Sequence, residues 1–211
     1  MTTIAIVPEA EQRVVIDHVS WSTYLGLVDS GTVRRGRMIY HCGTLEIMAP
    51  GKLHENFGRL LGRLVEAYTE EMDIEIISVK SMTYKREDLL RGFEGDEAYY
   101  IQSSRLVQTK TEIDAMVDPP PDLVIEIDIT RSSIEKLAVF GPLGVPEVWR
   151  FDGDLLQIHL LESGEYRLSA QSSALPNFPL SMAMNILRDN GLTNETKLVR
   201  KFRQQISKPH E

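Results

Sequence analysis

Two carboxylates, Glu126 and Asp128, stand two residues apart in the run Leu123-Val124-Ile125-Glu126-Ile127-Asp128-Ile129. The run is rich in β-branched residues and reads as a strand. Strand side chains repeat every second residue. Leu123, Ile125, Ile127 and Ile129 therefore share one face, and Val124, Glu126 and Asp128 share the other. Buried carboxylates are costly unless paired with a cation. The acids mark a site, or an edge strand with a solvated face, or a partnership with Arg or Lys. Asp96 opens a second extended run, and Lys136 falls in the first turns of a helix predicted behind the acids. An Asp and a Glu on strands can hold Mg²⁺ through oxygen, leaving waters on the ion. Such an ion lowers the pKa of a bound water and stabilises charge on a phosphate. A nearby ammonium orients the attacking water or steadies the developing charge. The set suits hydrolysis of a phosphodiester. Read separately, Asp96 is a turn acid after Gly95 and Lys136 a solvated helix residue.

The elements that must position these groups follow from pattern and punctuation. Three prolines, Pro119 to Pro121, disfavour helix before Asp122. Residues 1–13 read as a loose or edge-lying arm. Ser20 caps a predicted helix running to about Asp29, with Trp21, Tyr24, Leu25 and Val28 at helical spacing. Arg37 to His41 and Thr44 to Ala49 form a predicted hairpin around Cys42-Gly43. A long helix from Leu53 to about Met72 carries the apolar stripe Leu53, Phe57, Leu60, Leu61, Leu64, Val65 and Tyr68, and needs a sheet to lie on. Asp73 to Val79, Met82 to Lys85 and Asp96 to Ile101 read as extended. Arg86 to Gly95 reads as a charged loop, and Ser103 to Val117 as a polar insertion. Ser132 or Ser133 caps a helix to about Phe140. Val145 to Phe151 is a predicted strand, with Asp152-Gly153 turning into Leu155 to Leu161 and Ser163-Gly164 into Tyr166 to Ala170. Residues 180–211 form a helical extension to what is expected to be a single domain over residues 1–211.

Composition bounds the function. The 211 residues are 42% hydrophobic and 26% charged, a globular balance with enough chain for a full core. No apolar run reaches membrane-spanning length. The N-terminal residues lack the pattern of a secretory signal, so a cytoplasmic location is expected. One cysteine, Cys42, excludes an internal disulfide framework and cysteine-rich zinc sites. A net charge of −8 argues against bulk affinity for nucleic acid, leaving local patches to decide.

The segments GDEAYYI, PPPDLVIEIDIT, SSIEK and LGVPEVWRFDG, supported by GTLEIMAP before the helical His54, resemble the Uma-two family of restriction endonucleases, part of the PD-(D/E)XK nuclease superfamily. The resemblance runs from about Arg37 to Leu161. It implies an α/β fold with a restriction-endonuclease-like core, a central mixed β-sheet flanked by helices. It also implies a DNA endonuclease dependent on Mg²⁺ or Mn²⁺. By likeness Asp96 and Glu126 are metal ligands, with the Ile127 carbonyl as a third. Two positions depart from the superfamily pattern. Gly95 stands where a proline usually precedes the aspartate, and Asp128 stands where the lysine normally follows the second acid. Within the family the lysine comes from the following helix, which points to Lys136. Asp128 then serves as a further ligand or as an anchor for Lys136.

Accessory groups are also implied. Some superfamily members recruit an acid from the first helix or its neighbourhood, making Glu46 and Glu55 candidates. His54 is a candidate proton shuttle or phosphate ligand, or else a surface histidine near a helix N-terminus. His18, His41, His159 and His210 show no metal spacing, and Trp149 and Tyr100 read as core. Arg34, Arg35 and Arg37, and in the tail Lys197, Arg200, Lys201 and Arg203, could meet phosphates or form solvated faces. Exposed hairpin edges and the tail suit a homodimer, an argument from analogy. The rival from another class is a catalytically silent DNA-binding or assembly module that keeps the fold. A hydrolase of a non-nucleic phosphoester is a weaker third.

Overall fold

The computed structural model describes residues 11–31, 36–80, 82–189 and 194–207. In chain order the elements are β1 (Gln12–Ile16), α1 (Trp21–Ser30), β2 (Arg37–His41), β3 (Thr44–Ala49), α2 (Lys52–Glu71), β4 (Ile77–Ser78), β5 (Thr83–Arg86), β6 (Arg91–Glu94), β7 (Glu97–Tyr100), α3 (Ser104–Val107), β8 (Leu123–Ile127), α4 (Leu137–Phe140), β9 (Glu147–Phe151), β10 (Leu156–Glu162), β11 (Glu165–Ser169), α5 (Leu180–Arg188) and α6 (Glu195–Ile206). They build a six-stranded sheet in the order β11-β10-β9-β8-β7-β4 and a five-stranded sheet in the order β1-β3-β2-β6-β5. The larger sheet is mixed: β8 and β9 run parallel, and its other neighbours are antiparallel. The smaller sheet is antiparallel throughout. This is the restriction-endonuclease-like α/β arrangement expected from the sequence.

The alternation of β8 decides how the layers stack. Leu123, Ile125 and Ile127 join Phe57, Leu60, Leu61 and Leu64 of α2, and Phe202 of α6, in the main core. Val124 faces the opposite way, into a second core with Phe140 of α4 and with Ile39, Tyr84 and Phe93 of the smaller sheet. Helices thus cover one face of the mixed sheet, and α4 with the smaller sheet covers the other. A third cluster seats Tyr24 of α1 on Met38, Tyr40 and Leu45. Glu126 lies on the Val124 face, so it points into the layer between the two sheets. Trp149 and Tyr100 are fully buried, as their alternation suggests.

Several boundaries differ from expectation for local reasons. Arg86 to Gly95 is not a loop: β5 and β6 form a hairpin there, turning at Leu90 with φ 48°. Phe93 anchors it, buried opposite Ile39 and Tyr84. Only Ile77 and Ser78 of the run from Asp73 pair as strand. The helix after the acids is one turn that begins at Leu137, and Ser132 and Ser133 before it bond to Glu46. The end of the N-terminal arm is the edge strand β1. Arg34, Arg35 and His210 lie outside the described residues. Among the described residues no helix is long and apolar enough to cross a membrane.

Candidate active site

Strand register brings the first two acids together. Glu97 pairs with Ile125 in the antiparallel ladder of β7 and β8, so Asp96, one residue earlier, falls opposite Glu126. The Ile127 amide donates to Asp96 Oδ2 at 2.7 Å, tying the acid to its neighbour's backbone. A Cβ at position 95 would sit 3.2 Å from Val124 Cγ1, a close approach that suits glycine there. From the other side α2 comes near through Gly58, whose added Cβ would lie 3.6 Å from Ile127 Cγ1. The long helix thereby delivers His54, in its first turn, onto Asp96.

The third acid and the amine come from the β8–β9 crossover. Asp128 follows β8, and its amide bonds to Phe151 O at 2.8 Å. Lys136 immediately precedes α4 and sends its ammonium back under the strand. It bonds Glu126 Oε2 and lies 2.8 Å from Asp128 Oδ1. Arg150 Nε sits 2.9 Å from Asp128 Oδ2. The parallel register sets Arg150 beside Glu126, so an alternating face of β9 carries the guanidinium.

Asp96 is equally occupied. His54 Nε2 and Arg37 Nε each lie 2.7 Å from its Oδ1. His54 Nδ1 in turn lies 2.5 Å from Glu11 Oε1. Asp96, Glu126, His54 and Lys136 are all buried, so the histidine is not a surface residue. Beyond this chain, Arg37 reaches half-exposed Glu55 at 2.9 Å. Glu46 is buried, and its carboxylate is bonded to Arg13, Ser132 and Ser133.

Such packing of charge shifts the titrations. Burial pushes the Glu126 carboxyl up, Lys136 pulls it back, and the Asp96 and Asp128 charges add to the rise, leaving it at about 7. At Asp96 burial is outweighed by the His54 hydrogen bond and by the charges of Arg37, His54 and Lys136, so its carboxyl falls to about 2. His54 is drawn up to about 9 despite burial, because Asp96 and Glu11 accept from its two nitrogens. At neutral pH it is an imidazolium donating on both sides. Lys136 is raised despite burial by Glu126, Asp128 and Asp96.

Among the described residues, no three His, Cys, Asp or Glu side chains form a ready-made metal site. A Mg²⁺ ion asks for less, since it keeps several waters and takes one or two carboxylates. Asp96 and Glu126 supply those oxygens from adjacent strands, and no hydrogen bond of the described residues reaches Glu126 Oε1. The crowding that raises Glu126 is what a divalent cation would relieve. The donor set therefore fits. Beside Asp128 an open cleft of about 800 Å³ is lined by Arg131, Ser132, Ser133, Arg150 and Asp152. It lies beyond the C-terminal ends of the parallel strands, where open α/β sheets take ligands. A pocket of only about 20 Å³ between the sheets reaches Glu126 and Lys136 past Arg13, Arg37 and Glu46.

The family model Uma2, described as "Putative restriction endonuclease", matches residues 21–188. The chain belongs to the Uma2 family. Uma2 proteins are members of the PD-(D/E)XK nuclease superfamily. Comparison with curated proteins found no match. Uma2 membership accounts for residues 21–188, so Glu11 and Arg13 lie before the matched stretch. Those two residues escaped sequence reading, as did the roles of Arg37 and Arg150 inside the cluster. The alternation Val148-Trp149-Arg150-Phe151 places Arg150 on the Glu126 face and was the one signal available. Nothing local marks Glu11, whose partners His54 and Thr130 are far along the chain.

Proposed function

We propose that this Uma2 protein is a Mg²⁺- or Mn²⁺-dependent DNA endonuclease that hydrolyses phosphodiester bonds. The observation that carries the reading is a buried ammonium, Lys136, ion-paired with Glu126 on β8 and with Asp128 just after it, while Asp96 lies across the ladder from Glu126. Asp96 and Glu126 would hold the cation, with the Ile127 carbonyl beside them. When bound, the cation supplies positive charge against the phosphoryl oxygens. Lys136 orients the attacking water and offsets charge gathering on the phosphate. Asp128, with Arg150 on its second oxygen, fixes the direction of the Lys136 amine. His54 and Arg37 keep Asp96 ionised, and Glu126 must release its proton before a cation binds. Two copies, each with one such site, would serve the two strands of a duplex, and sedimentation measures whether they pair.

The test is purified protein with supercoiled plasmid, in Mg²⁺, in Mn²⁺ and in chelator. Metal-dependent nicking that disappears in folded Asp96→Ala and Glu126→Ala supports the reading. Cleavage surviving both changes places the activity elsewhere. The second reading is a silent DNA-binding or assembly module. In its favour, Arg37, His54 and Lys136 already neutralise the acids without a metal. DNA binding with no cleavage in either metal selects that reading.

A further inference from the structure

The connection from β8 to α4 separates two acids from their amine, and it borders the open cleft through Arg131, Ser132 and Ser133. Such a segment should wander unless something outside it holds both ends. Two side chains of the smaller sheet do so. Glu46 on β3, 1% exposed, accepts from the Ser133 amide at 2.8 Å and from Ser132 Oγ at 3.0 Å. The same Ser132 oxygen accepts from the Ile134 amide at 3.2 Å, two residues before Lys136. Arg13 on β1 lies 2.5 Å from Glu46 Oε1. Its guanidinium also donates to Thr130 Oγ1 at 3.0 Å and to the Thr130 carbonyl at 3.1 Å. Arg13 and Glu46 reach each other diagonally across the β1–β3 ladder, in which Val15 pairs with Glu46.

We propose that Arg13 and Glu46 are positioning residues, pinning the 130–133 connection so that Lys136 meets Glu126 and Asp128. The role rests on the nuclease reading for its catalytic consequence, but its structural part stands without it. Glu46 is then not a metal ligand: each of its oxygens has protein donors, and its business is the path of the chain. A planar guanidinium is the group that can hold a carboxylate and a carbonyl together. Arg13 precedes the family-matched residues while Glu46 lies within them, so the clamp ties residues before the matched stretch to residues inside it.

Full-length wild type, Arg13→Ala, Arg13→Lys and Glu46→Gln are compared by steady-state plasmid nicking and by amide hydrogen exchange. Loss of the clamp should lower kcat by roughly 10²-fold, the usual consequence of a displaced catalytic group. KM for DNA should stay within about twofold, since no substrate contact is removed. Arg13→Lys should recover part of kcat, because an ammonium reaches Glu46 but cannot fork to Thr130. Exchange at the Ser133 amide should accelerate in Arg13→Ala and Glu46→Gln while the α2 core amides stay protected. An unchanged kcat, or a raised KM at constant kcat, overturns the proposal. A raised kcat overturns it as well and makes β1 a barrier to substrate. Should the wild type cut nothing, the nuclease reading fails, and Ser133 exchange alone decides the clamp: unaltered protection in both variants sinks it.

Discussion

Glu126 and Glu147 are buried glutamates on neighbouring strands of one sheet, and their surroundings are opposite. Glu147 begins β9 and is saturated by neutral donors. Trp149 Nε1 and Ser172 Oγ reach Oε1 at 2.5 and 2.6 Å, and the amides of Ser173 and Ala174 reach Oε2 at 2.8 Å each. These bonds tie the segment after β11 to the sheet, and the carboxylate has nothing left to offer a ligand. Glu126 near the end of β8 meets one ammonium and two further carboxylates. Burial alone therefore does not mark a site. A buried acid surrounded by donors is a structural fastening, whereas one crowded by like charge keeps a capacity to bind cations.

Neutral isosteres should pull the two apart. Glu126→Gln is expected to lower nicking by at least about 10²-fold and, at pH 8, to raise stability by about 1 kcal/mol by relieving the crowded charge. Glu147→Gln should cost about 3 kcal/mol in urea unfolding, since an amide cannot accept from all those donors, with nicking per folded molecule unchanged. If Glu126→Gln destabilises as much as Glu147→Gln, the two acids are alike and the contrast collapses.

Titration sharpens the same contrast. The folded protein holds the Glu126 proton more tightly than the unfolded chain, whose value is near 4.5. The Glu126 contribution to stability therefore falls as pH rises from about 4.5 to about 7. As pH rises through about 7 Mn²⁺ affinity should climb, because the cation competes with a proton; calorimetry at pH 6 and 8 reads this directly. His54 has the opposite preference for charge. Its stabilisation is present below about 6.5 and is lost as pH rises through about 9. Unfolding of His54→Gln should lack that alkaline loss. The smallest effect is expected at Ser172→Ala, about 1 kcal/mol of stability from one bond to Glu147, with nicking and Mn²⁺ affinity untouched.

Much of this arrangement was legible in the sequence because it is periodic. The alternation in β8 assigned both faces, the stripe on α2 required a sheet beneath it, and the turns at Cys42-Gly43, Asp152-Gly153 and Ser163-Gly164 lie where the hairpins turn. Residue chemistry suggested grouping Asp96, Glu126, Asp128 and Lys136, the family likeness favoured it, and register explains their geometry. What stayed hidden was non-local. β6 is the short charged run Arg91-Gly92-Phe93-Glu94, so only its pairing with β5 and β2 reveals a strand. Arg37 reaches Asp96, Glu11 reaches His54 and Arg13 reaches Glu46 from segments distant in sequence, and no local spacing encodes such contacts. The partners of Glu46 were hidden for the same reason: Ser132 and Ser133 fold back onto it from far along the chain.

The parallel pairing of β8 and β9 also sets an order of events. Parallel neighbours cannot be joined by a tight turn, so the chain must travel out through residues 128–146 before β9 can dock. Within that excursion Lys136 turns back to pair with Glu126 and Asp128, and Arg150 joins Asp128 only when β9 docks. Loss of the Arg150 contact with Asp128, which needs the parallel strand in place, should therefore quicken unfolding more than it slows refolding in stopped-flow measurements.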